Sequence, residues 1–265
     1  MIDCLFRSRG VDGGFDVFES TDGTRSNWGP QIQHGSPPLA LLTRAIERLA
    51  EDTGMRVGRL SLDILGAIPV ATVKVRAWVD RPGTRIALLV AEMVVDRPDG
   101  SSRTVARLTA WLLATSETAD AAQDRHPPML EGETAGATHA WEGATGYLET
   151  VEWRRQRTSP DAAFEAWLTP LVPLVDSEPT TALQRLAMVV DCANGTGAVL
   201  DPAQFVFMNT DTVVHLHRLP VGQDFGLRAR ASIGRDGIGV TTAEIFDRSG
   251  FIGTSAQTLL VQRQY

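Results

Sequence analysis

The sequence predicts an α+β protein built from two tandem copies of one unit, a helix wrapped by an antiparallel β-sheet. Three observations predict it. Ala91-Glu92-Met93-Val94-Val95-Asp96-Arg97-Pro98-Asp99-Gly100 is answered about 150 residues later by Ala243-Glu244-Ile245-Phe246-Asp247-Arg248-Ser249-Gly250, a domain-sized interval. Each copy follows a strand-like run that ends at a proline, 60–69 in the first and 213–220 in the second. Each run follows a helical segment with a Trp-Pro cluster upstream, Trp28-Gly29-Pro30 and Trp167-Leu168-Thr169-Pro170. Two unrelated hairpins sharing an Asp-Arg turn are the plainer alternative.

In chain order, 36–52 carries the helical period. Leu39, Leu42, Ala45, Ile46 and Leu49 fall on one face, with Arg44, Glu47, Arg48 and Glu51 elsewhere. Ser36 before Pro37 reads as an N-cap with proline at the first helical position, and Gly54 as the stop. Strands follow at 57–67, 70–80, 85–96 and 103–114, broken at Ile68-Pro69, Arg81-Pro82-Gly83 and Arg97-Pro98-Asp99-Gly100. From 115 to about 140 the chain turns small and polar, with Pro127-Pro128, and reads as a linker. The pattern then restarts, with strands at 147–155 and 163–168, a helix at 179–193, and strands at 203–209, 211–219, 225–234, 238–247 and 251–262. The expected division is 1–115, a 116–145 linker, and 146–265. A helix preceding a long antiparallel sheet in each half lets the sheet bury the helix.

Bulk properties exclude several classes. A formal charge of −7 argues against nucleic acid or an anionic membrane as partner, since both demand a basic footprint. No run approaches the ~20 apolar residues that span a bilayer, and the first residues lack a secretory core. Cys4 and Cys192 fit neither a ligand nor a disulfide pattern, so a reducing, cytoplasmic compartment is expected. The tryptophans Trp28, Trp78, Trp111, Trp141, Trp153 and Trp167 read as core or interface residues.

The chemistry-bearing residues lie mainly in the second half. Leu183, Leu186, Ala187 and Val190 mark the apolar face of the second helix, and Asp191 borders it. Partial desolvation and the helix's negative end both disfavour charge there, a cost that a purely structural helix would avoid. A carboxylate capped by solvent or by an arginine is the plainer alternative. His215 and His217 lie on one face of a strand, but no third ligand accompanies them, so no metal is expected. Asn194-Gly195-Thr196-Gly197 reads as a helix stop rather than a phosphate loop.

Asp191, the run Asn209-Thr210-Asp211 leading to His217-Arg218, and Gln257 in the last strand resemble the acyl-CoA thioesterase II type of the thioesterase-like superfamily. Trp28-Gly29-Pro30 followed by His34-Gly35 and a helix resembles that superfamily's opening segment. The resemblance covers nearly the whole chain and implies a double hot-dog fold. It further implies hydrolysis of an acyl or aryl thioester of coenzyme A, without a cofactor, by a water held between an Asp, a Thr or Ser, and a Gln. Matched onto this sequence these become Asp191, Asn209 and Gln257, the middle member departing from the pattern. Asp191 would be the base, and the substrate oxyanion would be held by backbone N–H groups at the helix N-terminus, a role that suits His34-Gly35, or by one of the amides; a simple turn into the helix is the plainer reading of His34-Gly35. Aligning the repeats places Arg107 opposite Gln257, which implies one active half. A non-catalytic thioester-binding protein and a hot-dog dehydratase or hydratase are the rivals. The hydratase run Asp-x-Asn-Pro-x-His is absent, since glycine follows Asp191-Cys192-Ala193-Asn194. A homodimer is the assembly suggested by analogy.

Overall fold

The computed structural model describes residues 2–131, 145–156 and 163–264, together with the backbone of 133–134. Trp141 and part of the expected linker lie outside the described residues. The first half contains β1 (Phe6–Asp12), β2 (Phe15–Ser20), β3 (Arg25–Ser26), β4 (Gly29–Gln33), α1 (Ser36–Ala50), β5 (Met55–Ile64), β6 (Thr72–Arg81), β7 (Ile86–Asp96) and β8 (Ser102–Ala114). The rest contains β9 (Glu133–Thr134), β10 (Val151–Gln156), β11 (Phe164–Pro170), α2 (Ala182–Val190), α3 (Ala193–Thr196), β12 (Phe205–Asn209), β13 (Asp211–Leu216), β14 (Phe225–Ile233), β15 (Ile238–Asp247) and β16 (Gly250–Arg263).

Strand pairing exposes the duplication. The sheet runs β1-β2-β6-β7-β8-β5 and continues β13-β16-β15-β14-β11-β10, so the second order is the first reversed. All pairings are antiparallel, and β5 meets β13 at a seam where Ser61 faces Val213. The Ala-Glu repeat falls on β7 and β15, and both strands bulge at the same step, after Met93 and after Ile245. Even the ion pair is repeated: Arg76 on β6 donates to Glu92 at 2.7 Å, and Arg228 on β14 donates to Glu244 at 2.9 Å. This is the double hot-dog fold.

The register corrects the expected alignment of Arg107 with Gln257. Glu92 pairs with Arg107 and Glu244 with Thr254, so Arg107 corresponds to Thr254. Gln257 faces Thr241 and corresponds to Ala110, which faces Leu89. The shorter β15–β16 turn shifts the count. Arg107 is an exposed outer-face residue, 3.7 Å from Glu92.

Helix α1 lies in the concavity of the sheet against antiparallel α2. Residues Ser36 to Ile46 are all buried, because the sheet covers one side and α2 the other. Leu49, placed on the apolar face by its period, is exposed. The cap sits one residue earlier than expected, at Gly35, with Pro37 and Pro38 following Ser36, while Gly54 closes the next turn with φ +66°. Polar side chains fasten the other end of the helix pair. Arg44, buried on α1, donates twice to Glu178 at 2.7 Å. Glu47 accepts from the α2 N-cap Thr181 and from Gln184 at 2.7 Å, while burial lifts its pKa above the ordinary range.

Three expectations of local structure change. The helix expected at 179–193 breaks: Cys192 N–H bonds Val189 O, a tight turn that leaves Asp191 as the α2 cap before α3 resumes. Asn194 is therefore inside a helical turn rather than a stop signal. The segment at 147–150 is a 3₁₀ turn ahead of β10. The polar stretch after β8 crosses the outer face of the second sheet, where Arg228 donates to Pro127 O and Pro128 O and Trp167 Nε1 donates to Leu130 O.

Candidate active site

The break after α2 turns Asp191 toward the N-terminus of α1, and the carboxylate is almost wholly buried, with 2% of its side chain exposed. Its Oδ1 accepts from Asn209 Nδ2 at 2.7 Å, Thr212 Oγ1 at 2.5 Å and Gln257 Nε2 at 3.0 Å. These donors come from β12, β13 and β16, three strands brought together only by the sheet. Gln257 Nε2 also reaches Asp191 O at 3.1 Å, tying the helix end itself to β16. Among the described residues no donor is bonded to Oδ2.

Oδ2 faces the start of α1. A Cβ added to Gly35 would stand 2.4 Å from it, so only glycine lets the helix N-terminus come this close. Pro37 and Pro38 lack N–H groups, and Ser36 N–H is taken by His34 Nδ1 at 3.1 Å. That leaves the Gly35 N–H, for which the described residues provide no acceptor. His34 stacks on buried Tyr147 with ring centroids 4.1 Å apart. Its Nδ1 lies 3.7 Å from Asp191 Oδ2, but that nitrogen already accepts from Ser36, so the two do not form an ion pair. Burial, which outweighs the pull of the nearby carboxylate, holds the imidazole below its ordinary pKa. His34 is thus neutral with its proton on Nε2.

Cys192 lies beside this centre, its Sγ 3.1 Å from Tyr147 Oη. Burial pushes its pKa up to about 12, so it is a thiol and not a nucleophile. Tyr147 donates to Met188 O and, equally buried, stays a neutral phenol.

A cavity of about 300 Å³ opens onto His34, Gly35, Asp191 and Asn209, and its remaining wall mixes apolar side chains such as Trp28 and Phe207 with polar ones, Arg155 and Asn194 among them. Both halves contribute, the α1 N-terminus from the first and the carboxylate from the second. Asp191, Asn209, His34 and Gly35 all border the cavity. Gln257 does not: 1% exposed, it holds Asp191 from behind. Trp28 and Trp153, expected in core or interface, line the cavity. His215 and His217 are exposed and line none of it.

One residue is new to the site. Thr212, three positions beyond Asn209, brings a hydroxyl to the Asp191 carboxylate. Alternation signals it, because Thr212, Val214 and Leu216 share the buried face of β13. The corresponding positions in the first half are apolar: Thr212 corresponds to Leu60 and Gln257 to Ala110, which pair with each other on β5 and β8.

The model of the acyl-CoA thioesterase N-terminal domain matches residues 24–113, and that of the acyl-CoA thioesterase C-terminal domain matches residues 117–261. The chain belongs to the acyl-CoA thioesterase family. Among solved structures, a hot-dog protein of unknown function from Alicyclobacillus acidocaldarius is 15% identical with a TM-score of 0.74, covering 96% of each chain. A Novosphingobium aromaticivorans protein provisionally called a thioesterase is 19% identical with a TM-score of 0.72, covering 97% of this chain and 98% of its own. The acyl-CoA thioesterase II of Mycobacterium marinum is 14% identical with a TM-score of 0.66, covering 97% of this chain and 95% of its own. At such identities the likeness is one of fold. No curated protein sequence matches the chain.

Proposed function

We propose that this family member hydrolyses acyl thioesters of coenzyme A, with Asp191 as general base. The observation that carries the reading is the asymmetry of the carboxylate. Oδ1 is held by three donors, while Oδ2 has none among the described residues, and Asp191 lines the cavity beside an unused backbone N–H. A water at Oδ2 gives up its proton to the carboxylate as its oxygen bonds the thioester carbonyl carbon. The oxyanion that forms is stabilised by Gly35 N–H and His34 Nε2–H. Collapse breaks the C–S bond, and Asp191 returns its proton to the departing thiolate, giving a carboxylic acid and free coenzyme A.

Asn209, Thr212 and Gln257 are positioning residues that fix the carboxylate. The site lies in the 146–265 half, with 1–115 contributing the α1 N-terminus and 116–145 connecting the two. The cytoplasm, where the reduced Cys4 and Cys192 would persist, and a homodimer are the compartment and assembly that go with this reading.

Free-thiol release from acyl-CoA is the test. Asp191→Asn keeps size but removes the proton acceptor, so kcat should fall by roughly 10²–10⁴ with the fold retained. Arg107→Gln, on the outer face, should stay near wild type. Tight thioester binding without thiol release would make the chain a binding protein. Change in the acyl group without thiol release would favour a dehydratase, for which His34 beside Asp191 provides the acid–base pair.

A further inference from the structure

One wall of the cavity has no task in that reaction. Strand β10 turns Trp153 and Arg155, two residues apart and so on one face of the strand, toward the cavity. The Arg155 guanidinium carbon stands 5.0 Å from the centre of the Trp153 ring. Among the described residues Arg155 makes no hydrogen bond or ion pair, and its Nε is buried without an acceptor. Trp153, only 5% exposed, also keeps its indole N–H buried without an acceptor.

Three other part-buried arginines of the same half have acidic partners. Arg154, the neighbour of Arg155, is bonded to Asp224, Arg218 to Asp247, and Arg228 to Glu165 and Glu244. Burial draws the Arg155 pKa below its ordinary value, whereas a bound carboxylate would push it up. A guanidinium desolvated without a counter-charge is costly, and its planar fork matches a carboxylate.

The rest of the cavity narrows where an anion can sit. Asp191 repels it, and the buried Asn194 Oδ1, whose amide is oriented by Nδ2 donating to Phe207 O at 2.9 Å, is an acceptor without a donor. Two donors and the only positive charge among the cavity-lining described residues therefore coincide on β10. The phosphates of coenzyme A lie a full pantetheine arm from the thioester carbonyl. A cavity of about 300 Å³ that already holds the reacting centre has no room for the nucleotide. The anion that fits beside Arg155 within the cavity is therefore assigned to the acyl group.

We propose that Arg155, with Trp153, forms a carboxylate subsite, and that the preferred acyl group carries a second carboxylate distal to the thioester. The proposal rests on the thioesterase reading above and deepens it.

The test compares thiol release from glutaryl- and adipyl-CoA with release from valeryl- and hexanoyl-CoA, using the full chain. Wild type should favour the carboxylated member of each pair at least about 10-fold in kcat/KM. Arg155→Met, which keeps the stem over Trp153, should abolish that preference while neutral substrates move less than about 3-fold. Arg155→Lys should retain part of it, and unchanged melting of both variants separates selectivity from folding. A wild-type preference for neutral chains overturns the proposal. Equal loss on both classes in Arg155→Met does so too, because Arg155 would then serve the shared coenzyme A portion. Glu133 is opposite Arg155 in the β9–β10 register, so Glu133→Gln is included and should leave selectivity unchanged. A gain there would identify Arg155 as its structural partner and overturn the proposal. If no thioester is cleaved, the hydrolase reading fails by itself. Calorimetric binding of free glutarate, lost in Arg155→Met, would still support the subsite, and its absence in wild type would overturn it.

Discussion

Gly35→Ala probes the geometry of the proposed reacting centre with a single methyl group. The new Cβ would stand 2.4 Å from Asp191 Oδ2, 2.8 Å from Cγ and 3.0 Å from Oδ1. Non-bonded heavy atoms pack at ~3.5 Å, so about 1 Å of movement is needed to relieve the overlap. The backbone is not the obstacle, since Gly35 has φ −67° and ψ −28°, which alanine adopts freely. The carboxylate cannot retreat without stretching its bonds to Asn209, Thr212 and Gln257, so either it or the α1 N-terminus shifts. A displacement of ~1 Å at a reacting centre costs on the order of 10²-fold in rate, and local overpacking costs about 1–3 kcal/mol. Thiol-release kinetics and denaturant melts measure both. In an Asp191→Ala background the clash has no partner, so the stability cost of Gly35→Ala should nearly vanish, a coupling of at least about 1 kcal/mol. Wild-type kcat/KM and melting in Gly35→Ala, or the same stability cost in both backgrounds, would refute the reasoning.

Thr212→Val removes one donor to the Asp191 carboxylate at nearly constant volume and should lower kcat roughly 10-fold or more. Thr212→Ser should recover most of it, and an unaffected valine variant would show that the hydroxyl does not position the base. His34 contributes a pH dependence of defined sign. Its folded pKa is depressed, so as pH falls below about 6.5 the unfolded chain takes up a proton first, and stability declines until the folded imidazole also protonates. Denaturant melts between pH 5 and 7 should show this decline, at most ~1.4 kcal/mol per pH unit, in wild type and not in His34→Gln. Equal slopes in the two proteins would contradict a buried neutral His34.

Fold and site were legible in the sequence to different depths. The Ala-Glu repeat located β7 and β15 because both are central strands whose inward side chains must be apolar. Strands β1 and β2 were not anticipated. β1 is an edge strand exposed from Ser8 to Asp12, and Arg-Ser-Arg-Gly leaves no alternation to detect. Asp191 was visible because a carboxylate bordering an apolar helical face is anomalous. Thr212 was overlooked because a buried threonine on a strand is ordinary. Only its meeting with Asn209 and Gln257 on one oxygen gives it a role, and that depends on the sheet closing around α2. The break at Asp191 was hidden as well, since Cys192, Ala193 and Asn194 are all acceptable to a helix.

The antiparallel helix pair has two equivalent meeting points, one at each end. At one, Gly35 and Asp191 face each other across a cavity. At the other, Thr181 and Gln184 grip Glu47, and Arg44 grips Glu178, with no such vacancy in the grip. A symmetric pair of identical subunits could not make that distinction, because any residue placed at one end would appear at the other. Joining the copies in one chain allows a division of labour: one end keeps a cavity, and its twin becomes a bolt that holds the two helices in line.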